Sequence, residues 1–214
     1  MIAILGGTGP EGQGLALRFA QAGHRVIIGS RDGNRAKQTA KDLGGLIDTD
    51  LVTGNSNKEA AELGSTVFIS LPYPAQRETL LELRPSLEGK TVVDVIAPLV
   101  FHKGIAQAVQ VEEGSAAEQA QEILPLAHVV GAFHSISARD LIIPDRPIDC
   151  DVVVCSDDDP AKTEVMKLAE LIKGVRAIDG GGLQSSRYVE GLTALLLNVN
   201  RIYNCHSMIK IMGI

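Results

Sequence analysis

The chain has 214 residues, enough for one large domain or two small ones, and 45% of them are hydrophobic, an ordinary fraction for a globular protein. A formal net charge of −6 argues against nucleic acid as a partner, and no apolar run reaches the length that a membrane span needs. With aromatics at 3% and no Trp, the core must be built from Ala, Val, Ile and Leu, which suits a parallel sheet buried on both faces.

In chain order, residues 1–5 read as a short buried strand and 6–12 as a glycine turn with Gly7, Gly9 and Gly12 at GxGxxG spacing. An amphipathic helix over 13–22 and a second strand over 25–28 complete the unit. A GxGxxG that closes a strand and opens a helix in a unit of this length is the fingerprint of dinucleotide binding. Gly7 permits the tight turn, Gly9 lets a pyrophosphate approach the backbone, and Gly12 lets the helix pack close to the sheet. Pro10 suits a helix start, whose free N–H groups and dipole favour phosphate.

The end of the second strand reads Gly29, Ser30, Arg31 where an NAD site usually carries Asp or Glu. Arg31 can fork onto a 2′-phosphate, and Arg35 lies about a helical turn further on, so the expected dinucleotide is NADP(H). Asp32 lies beyond Arg31 and is expected to face solvent or cap the next helix.

A polar helix follows over 34–43, ended by Gly44 and Gly45, then a weak strand region over 46–54. Ser56 and Glu59 form a capping-box pattern for a helix to residue 63. Strands are expected at 66–71 and 91–96, each stopped by proline, with a helix over 75–83 between them. Residues 99–114 show no regular pattern. A second capping box, Ser115 with Glu118, opens a helix to 123, and a sixth strand covers 129–133. Residues 134–139 leave its end as a loop, and 144–147 are turn-rich. A strand at 152–154, an acidic turn at 156–159, a helix over 160–172, a strand at 175–178, a glycine loop at 180–182 and a long helix over 184–208 finish the chain.

The expected fold is therefore α/β: a doubly wound parallel sheet of Rossmann type over 1–147, with a small C-terminal α/β domain over 148–214 closing a second-substrate cleft. Three cysteines without metal-type spacing read as free thiols in a reducing cytoplasm; along an extended strand Cys150 and Cys155 stand roughly 16 Å apart, too far for a disulfide. No metal site is expected. Asp157, Asp158 and Asp159 read as a turn and helix N-cap, since consecutive carboxylates splay apart, and Cys205 and His206, as helix neighbours, point in different directions.

Ligands of an open parallel sheet lie beyond the carboxyl ends of its strands. Those ends bring Ser30 with Arg31, Leu71 with Pro72 and Tyr73, Ala97, and His134 with Ile136 to one edge. The ends at Leu71 to Tyr73 and at Ala97 are small or apolar, as a flat nicotinamide ring needs. His134 either hydrogen-bonds a second substrate or assists proton transfer, or else caps its strand end. Arg187 and Thr193 are polar groups near the start of the last helix; Arg187 could bind an anionic ring or anchor an inter-domain contact through Glu190.

The stretches 4–9 (ILGGTG), 14–18 (GLALR), 28–31 (IGSR), 134–136 (HSI), 154–159 (VCSDDD) and 186–193 (SRYVEGLT) together resemble NADPH:F420 oxidoreductases, the F420-dependent NADP reductase family, over essentially the whole chain. The resemblance implies direct hydride transfer between NADP(H) and the deazaflavin of coenzyme F420, without a covalent nucleophile or a metal. It places Thr8, Gly9, Pro10 and Glu11 in the phosphate loop, Ser30, Arg31 and Arg35 at the 2′-phosphate, and Tyr73, Ala97 and Ala138 along the nicotinamide half. It places His134, Ile136, Arg187, Thr193 and Met208 against F420, with His134 or Arg187 acting on the deazaflavin edge, and it implies a homodimer. Gly191 stands where the family pattern has serine. Another hydride acceptor (a flavin or a ferric species) and a non-catalytic NADP(H) sensor are the competing readings.

Overall fold

The computed structural model describes residues 1–214. Its centre is a six-stranded, wholly parallel sheet of β1 (Ile2–Leu5), β2 (Val26–Ser30), β3 (Val52–Ser56), β4 (Thr66–Ile69), β5 (Thr91–Asp94) and β8 (His128–Gly131), in the order β3-β2-β1-β4-β5-β8. The chain winds one way from β1 to β3 and the other way from β4 to β8. The switch point therefore lies between β1 and β4, where such sheets open a crevice. Around the sheet run α1 (Pro10–Gln21), α2 (Gly33–Ile47), α3 (Asn57–Leu63), α4 (Tyr73–Leu87), α5 (Ala116–Ile123) and the short α6 (Ala138–Leu141).

Both faces of the sheet are buried, as the aliphatic composition requires. Along β1 the side chains alternate: Ile2 and Ile4 join one hydrophobic cluster, Ala3 and Leu5 the other. Three of the four phenylalanines, Phe19, Phe68 and Phe133, meet in the larger cluster with ring centroids 5.1 to 6.3 Å apart. The fourth, Phe101, stays 66% exposed.

The C-terminal stretch holds β9 (Cys150–Val154), α7 (Asp159–Glu170) and β10 (Val175–Asp179), with β9 and β10 paired in parallel as a separate sheet. A 3₁₀ turn (Leu183–Ser185) leads into α8 (Ser186–Tyr203). The larger hydrophobic cluster runs from β1 through to β10. Cys150, Cys155 and Cys205 are all free.

Three local expectations are corrected. Gly44 and Gly45 do not end α2, which continues to Ile47 and stops at Asp48 in the left-handed conformation (φ 48°). Gly44 is needed for a close approach instead: a Cβ there would meet the Thr49 carbonyl at 2.7 Å, and Thr49 donates its N–H back to the Gly44 carbonyl. Residues 99–114 are not irregular throughout. They contain an antiparallel hairpin, β6 (Leu99–His102) with β7 (Ile105–Ala108), that turns through Lys103 and Gly104, both at positive φ. Asn198 on α8 clamps this hairpin by bonding both the N–H and the carbonyl of Ala106, at 2.9 Å each. Finally, α8 ends at Tyr203 rather than 208, because Asn204 takes the left-handed C-cap (φ 51°). The tail then runs back beside β9, where Asp151 donates its N–H to the Ile209 carbonyl.

Candidate active site

The β1–α1 junction forms as the glycine spacing dictates. At Gly12 a Cβ would meet the Gly7 Cα at 2.5 Å, so the helix can start against the strand only without a side chain there. Gly9 is different: its nearest neighbour for a Cβ is 3.7 Å away, which leaves its backbone open to the cleft. The amides of Thr8, Glu11 and Gly12 make no backbone hydrogen bond, so the start of α1 offers free N–H donors at the positive end of its dipole. Asn57, the first residue of α3, accepts the Gly6 N–H at 3.1 Å and holds the turn from the far side.

These groups border a cavity of about 790 Å³ at the switch point. Its lining includes Thr8, Gly9, Pro10, Glu11, Ser30, Arg31, Arg35, Leu71, Pro72, Tyr73 and Ala97, all expected from the sequence. Gly7 and Gly12 lie beneath the loop and shape it. Ser30 is buried and its Oγ accepts the Asp32 N–H at 3.1 Å. Asp32 caps α2, accepting from the amides of Asn34 (2.9 Å) and Arg35 (3.2 Å). That occupies the carboxylate that stands between Arg31 and Arg35 in sequence. Arg31 and Arg35 are exposed and form no ion pair, leaving two guanidinium forks free at this end of the cavity.

A second cavity, of about 690 Å³, adjoins the first. Pro10, Glu11, Val95 and Ala97 line both. His134, Ile136 and Thr193 line it as expected, and Ala138 lies here rather than in the first cavity. His134 is 7% exposed, and neither ring nitrogen has a hydrogen-bond partner. Burial pushes its pKa down to about 3, so the imidazole is neutral at pH 7, with one donor and one acceptor left unpaired in the cavity wall. Thr193 is tied to it through the backbone, its Oγ1 donating to the His134 carbonyl at 2.8 Å.

Two expected residues are not brought into this cavity. The Arg187 guanidinium pairs instead with Glu118 on α5. The alternative anchor, Glu190, is not its partner either: Glu190 is buried and accepts the amides of Ala116 (2.8 Å) and Ala117 (3.2 Å) at the start of α5. Met208 packs half-buried against the larger hydrophobic cluster. In its place the tail offers Cys205, His206 and Ser207 to the cavity. The sequence reading named nothing between Thr193 and Met208, yet Leu196, Leu197, Asn200, Arg201 and Asn204 continue the same wall. Their 3- and 4-residue spacing from Thr193 is the signal that marks one helix face. Asn57 carried no such signal, because only the fold brings α3 under the glycine turn.

The residues fit two flat, partly anionic ligands. Free amides and unpaired guanidinium groups suit the phosphates of a dinucleotide; the orphaned imidazole and the small or apolar walls suit a second ring. No group of three or more His, Cys, Asp and Glu side chains is placed to hold a metal, and no helix is long and apolar enough to cross a membrane.

Residues 1–98 match the family described as NADP oxidoreductase, coenzyme F420-dependent. The chain is 42% identical to the F420-dependent NADP reductase of Methanocaldococcus jannaschii, covering 94% of this chain and 93% of that protein. The enzyme of the same name from Methanothermobacter marburgensis is 41% identical over 93% of this chain and 92% of its own. A crystal structure of a putative F420-dependent NADP reductase from an Arthrobacter species superposes with a TM-score of 0.85 at 26% identity, covering 99% of both chains.

Proposed function

The chain belongs to the F420-dependent NADP reductase family, and from that premise we propose that its two adjoining cavities seat the two coenzymes, NADP(H) in the first and the deazaflavin of F420 in the second. The enzyme is an oxidoreductase that moves a hydride directly between them. The observation that carries the assignment of sites is the wall shared by both cavities, where Pro10, Glu11, Val95 and Ala97 leave room for two rings to meet.

The bound coenzymes supply the redox chemistry, a hydride exchanged between a nicotinamide and a deazaflavin ring. The protein supplies position, and bringing the rings to near-attack distance accounts for most of the rate. Thr8, Gly9 and the first amides of α1 receive the pyrophosphate. Ser30, Arg31 and Arg35 hold the 2′-phosphate, while Leu71, Pro72, Tyr73 and Ala97 flank the nicotinamide half. On the other side His134, Ile136, Ala138 and Thr193 form the deazaflavin seat. The neutral imidazole of His134 hydrogen-bonds the ring edge rather than acting as a cationic acid. Arg187 acts as a positioning residue, tying α8 to α5, and Met208 fixes the tail from behind. Residues 148–214 close the second cavity over the nucleotide-binding part. The three free thiols fit a reducing compartment such as the cytoplasm, and the acidic surface offers nothing to nucleic acid.

We also read the enzyme as a homodimer. Tyr188, Leu195 and Ile202 recur every seven residues along α8 and stay 74%, 58% and 65% exposed, an apolar stripe that a second copy of the helix would bury. Gly191, with open space around its Cα, sits on the same helix.

Mixing the protein with NADPH and then with F420, FMN or FAD tests the function, followed by loss of nicotinamide absorbance. Oxidation with F420 and not with the flavins is the expected outcome. Flavin-only oxidation would move the second cavity to another acceptor, and tight NADPH binding without oxidation would make the protein a sensor.

A further inference from the structure

Glu11 is the second residue of α1, where a carboxylate would ordinarily gain from the helix dipole. Its surroundings oppose the charge. Its Oε1 is buried with no hydrogen-bond partner, and it stands in the wall between the two cavities. A pyrophosphate drawn to the free amides of α1 would meet a like charge there.

The charged groups around it give no compensation. On the side of the first cavity they are Arg31, Asp32 and Arg35, gathered at the end of β2, with Tyr73 across the cleft at the start of α4. On the side of the second they are His134 after β8, Arg139 on α6, Arg201 on α8, and Cys205 and His206 in the tail. None forms a hydrogen bond or ion pair with Glu11; the residue is half-buried, and the desolvation of its carboxyl pushes its pKa up to about 8.

Resting on the assignment of the first cavity to NADP(H), we propose that Glu11 binds the dinucleotide as a neutral carboxylic acid, its O–H donating to an acceptor oxygen on the pyrophosphate–nicotinamide half. Binding then stays proton-neutral below the carboxyl's own titration and takes up one proton above it. A hydrogen bond to the protonated form, with phosphate charge nearby, holds that proton more tightly in the complex than in the free protein. The geometry turns an acidic residue that looks misplaced in a phosphate loop into a donor, in the wall that the two cavities share.

The test is NADPH affinity between pH 7 and pH 9.5, read by nicotinamide fluorescence, for the wild-type protein and Glu11→Gln. The glutamine keeps the shape and a donor but cannot ionise. Expected for the wild type is a dissociation constant that weakens about tenfold per pH unit above pH 8, and for the variant a nearly level one. Calorimetry of the wild type at pH 9, in two buffers of different ionisation enthalpy, should count close to one proton taken up. The 2′-phosphate titrates near pH 6, outside this window, and contributions from Tyr73 or Cys205 would appear equally in the variant. 2′-Phospho-ADP-ribose, which keeps the pyrophosphate and lacks the nicotinamide, locates the acceptor: the same slope assigns it to the pyrophosphate, a slope seen only with NADPH to the carboxamide. Matching slopes in wild type and variant, or no proton uptake at pH 9, overturn the proposal. Failure of the wild type to bind NADPH at any pH overturns the assignment of the cavity, and the proposal with it.

Discussion

At the scale of single residues, the proposed 2′-phosphate seat rests on Arg31 and Arg35, whose guanidinium groups have no acidic partner, while the nearby Asp32 is spent on capping α2. Replacing either arginine by alanine should weaken NADPH binding about tenfold or more, as expected for a charge-assisted bond worth about 1.5–3 kcal/mol, and leave NADH binding unchanged; titration of both nucleotides checks this. His134 is the reverse case, an imidazole buried without a partner. His134→Leu should raise the melting temperature of the ligand-free protein by several degrees, since an unsatisfied buried polar group costs about 1–3 kcal/mol, and should weaken the apparent affinity for F420. That Ser30, Arg31 and Arg35 would line the first cavity was legible because the chemistry of a 2′-phosphate allows few residue types. The state of His134 was not, because its neutrality comes from burial that only the folded chain imposes.

Among the elements, α1 and α8 carry the site. The start of α1 was readable from three glycines, and the Gly12 contact shows why. Gly12→Ala would drive its Cβ into the backbone of Gly7, so α1 must move off β1 and the phosphate seat with it. Loss of NADPH binding, with the variant still folded by circular dichroism, is the expected result. The inward face of α8 was legible only as far as Thr193, although Leu196, Leu197, Asn200 and Arg201 repeat at helical spacing, because a helix apolar on two sides hides which side faces the cleft. Its other side bears Tyr188, Leu195 and Ile202. Leu195→Glu with Ile202→Glu should shift the protein from dimer to monomer in light scattering. The hairpin of β6 and β7 escaped the sequence reading because its sequence shows no period-2 alternation, and Asn198 supplies the backbone partners that hold it.

Over the whole molecule, the parallel direction and double winding of the main sheet followed from the alternation of short buried strands with helices. What did not follow was the polar interior under α8. There Asp94, at the end of β5, and Glu190 are both buried, and burial raises them to about 7 and about 8, with the Asp94 charge adding to the rise at Glu190. Glu11 is raised in the same way. Folded-state values above the unfolded ones mean stability that is fully present below about pH 4 and is lost as the pH rises through 7 to 8. Asp151, Asp158 and Asp179 are shifted the other way, the first chiefly by hydrogen bonds from Arg176, so their contribution is lost as the pH falls below the usual carboxylate range. Stability of the ligand-free protein should therefore peak at mildly acidic pH. Asp94→Asn should flatten the decline between pH 5 and pH 8, measured by thermal melting across that range.

The claim on which everything else depends is that the two cavities meet, so that hydride passes from one ring to the other without entering solvent. A single turnover with NADPH carrying deuterium at both C4 positions, followed by mass spectrometry of the reduced F420, tests it most directly. One deuterium retained per reduced deazaflavin is the expected result. Reduced F420 without the label, or NADPH left unoxidised in the presence of F420, would contradict it.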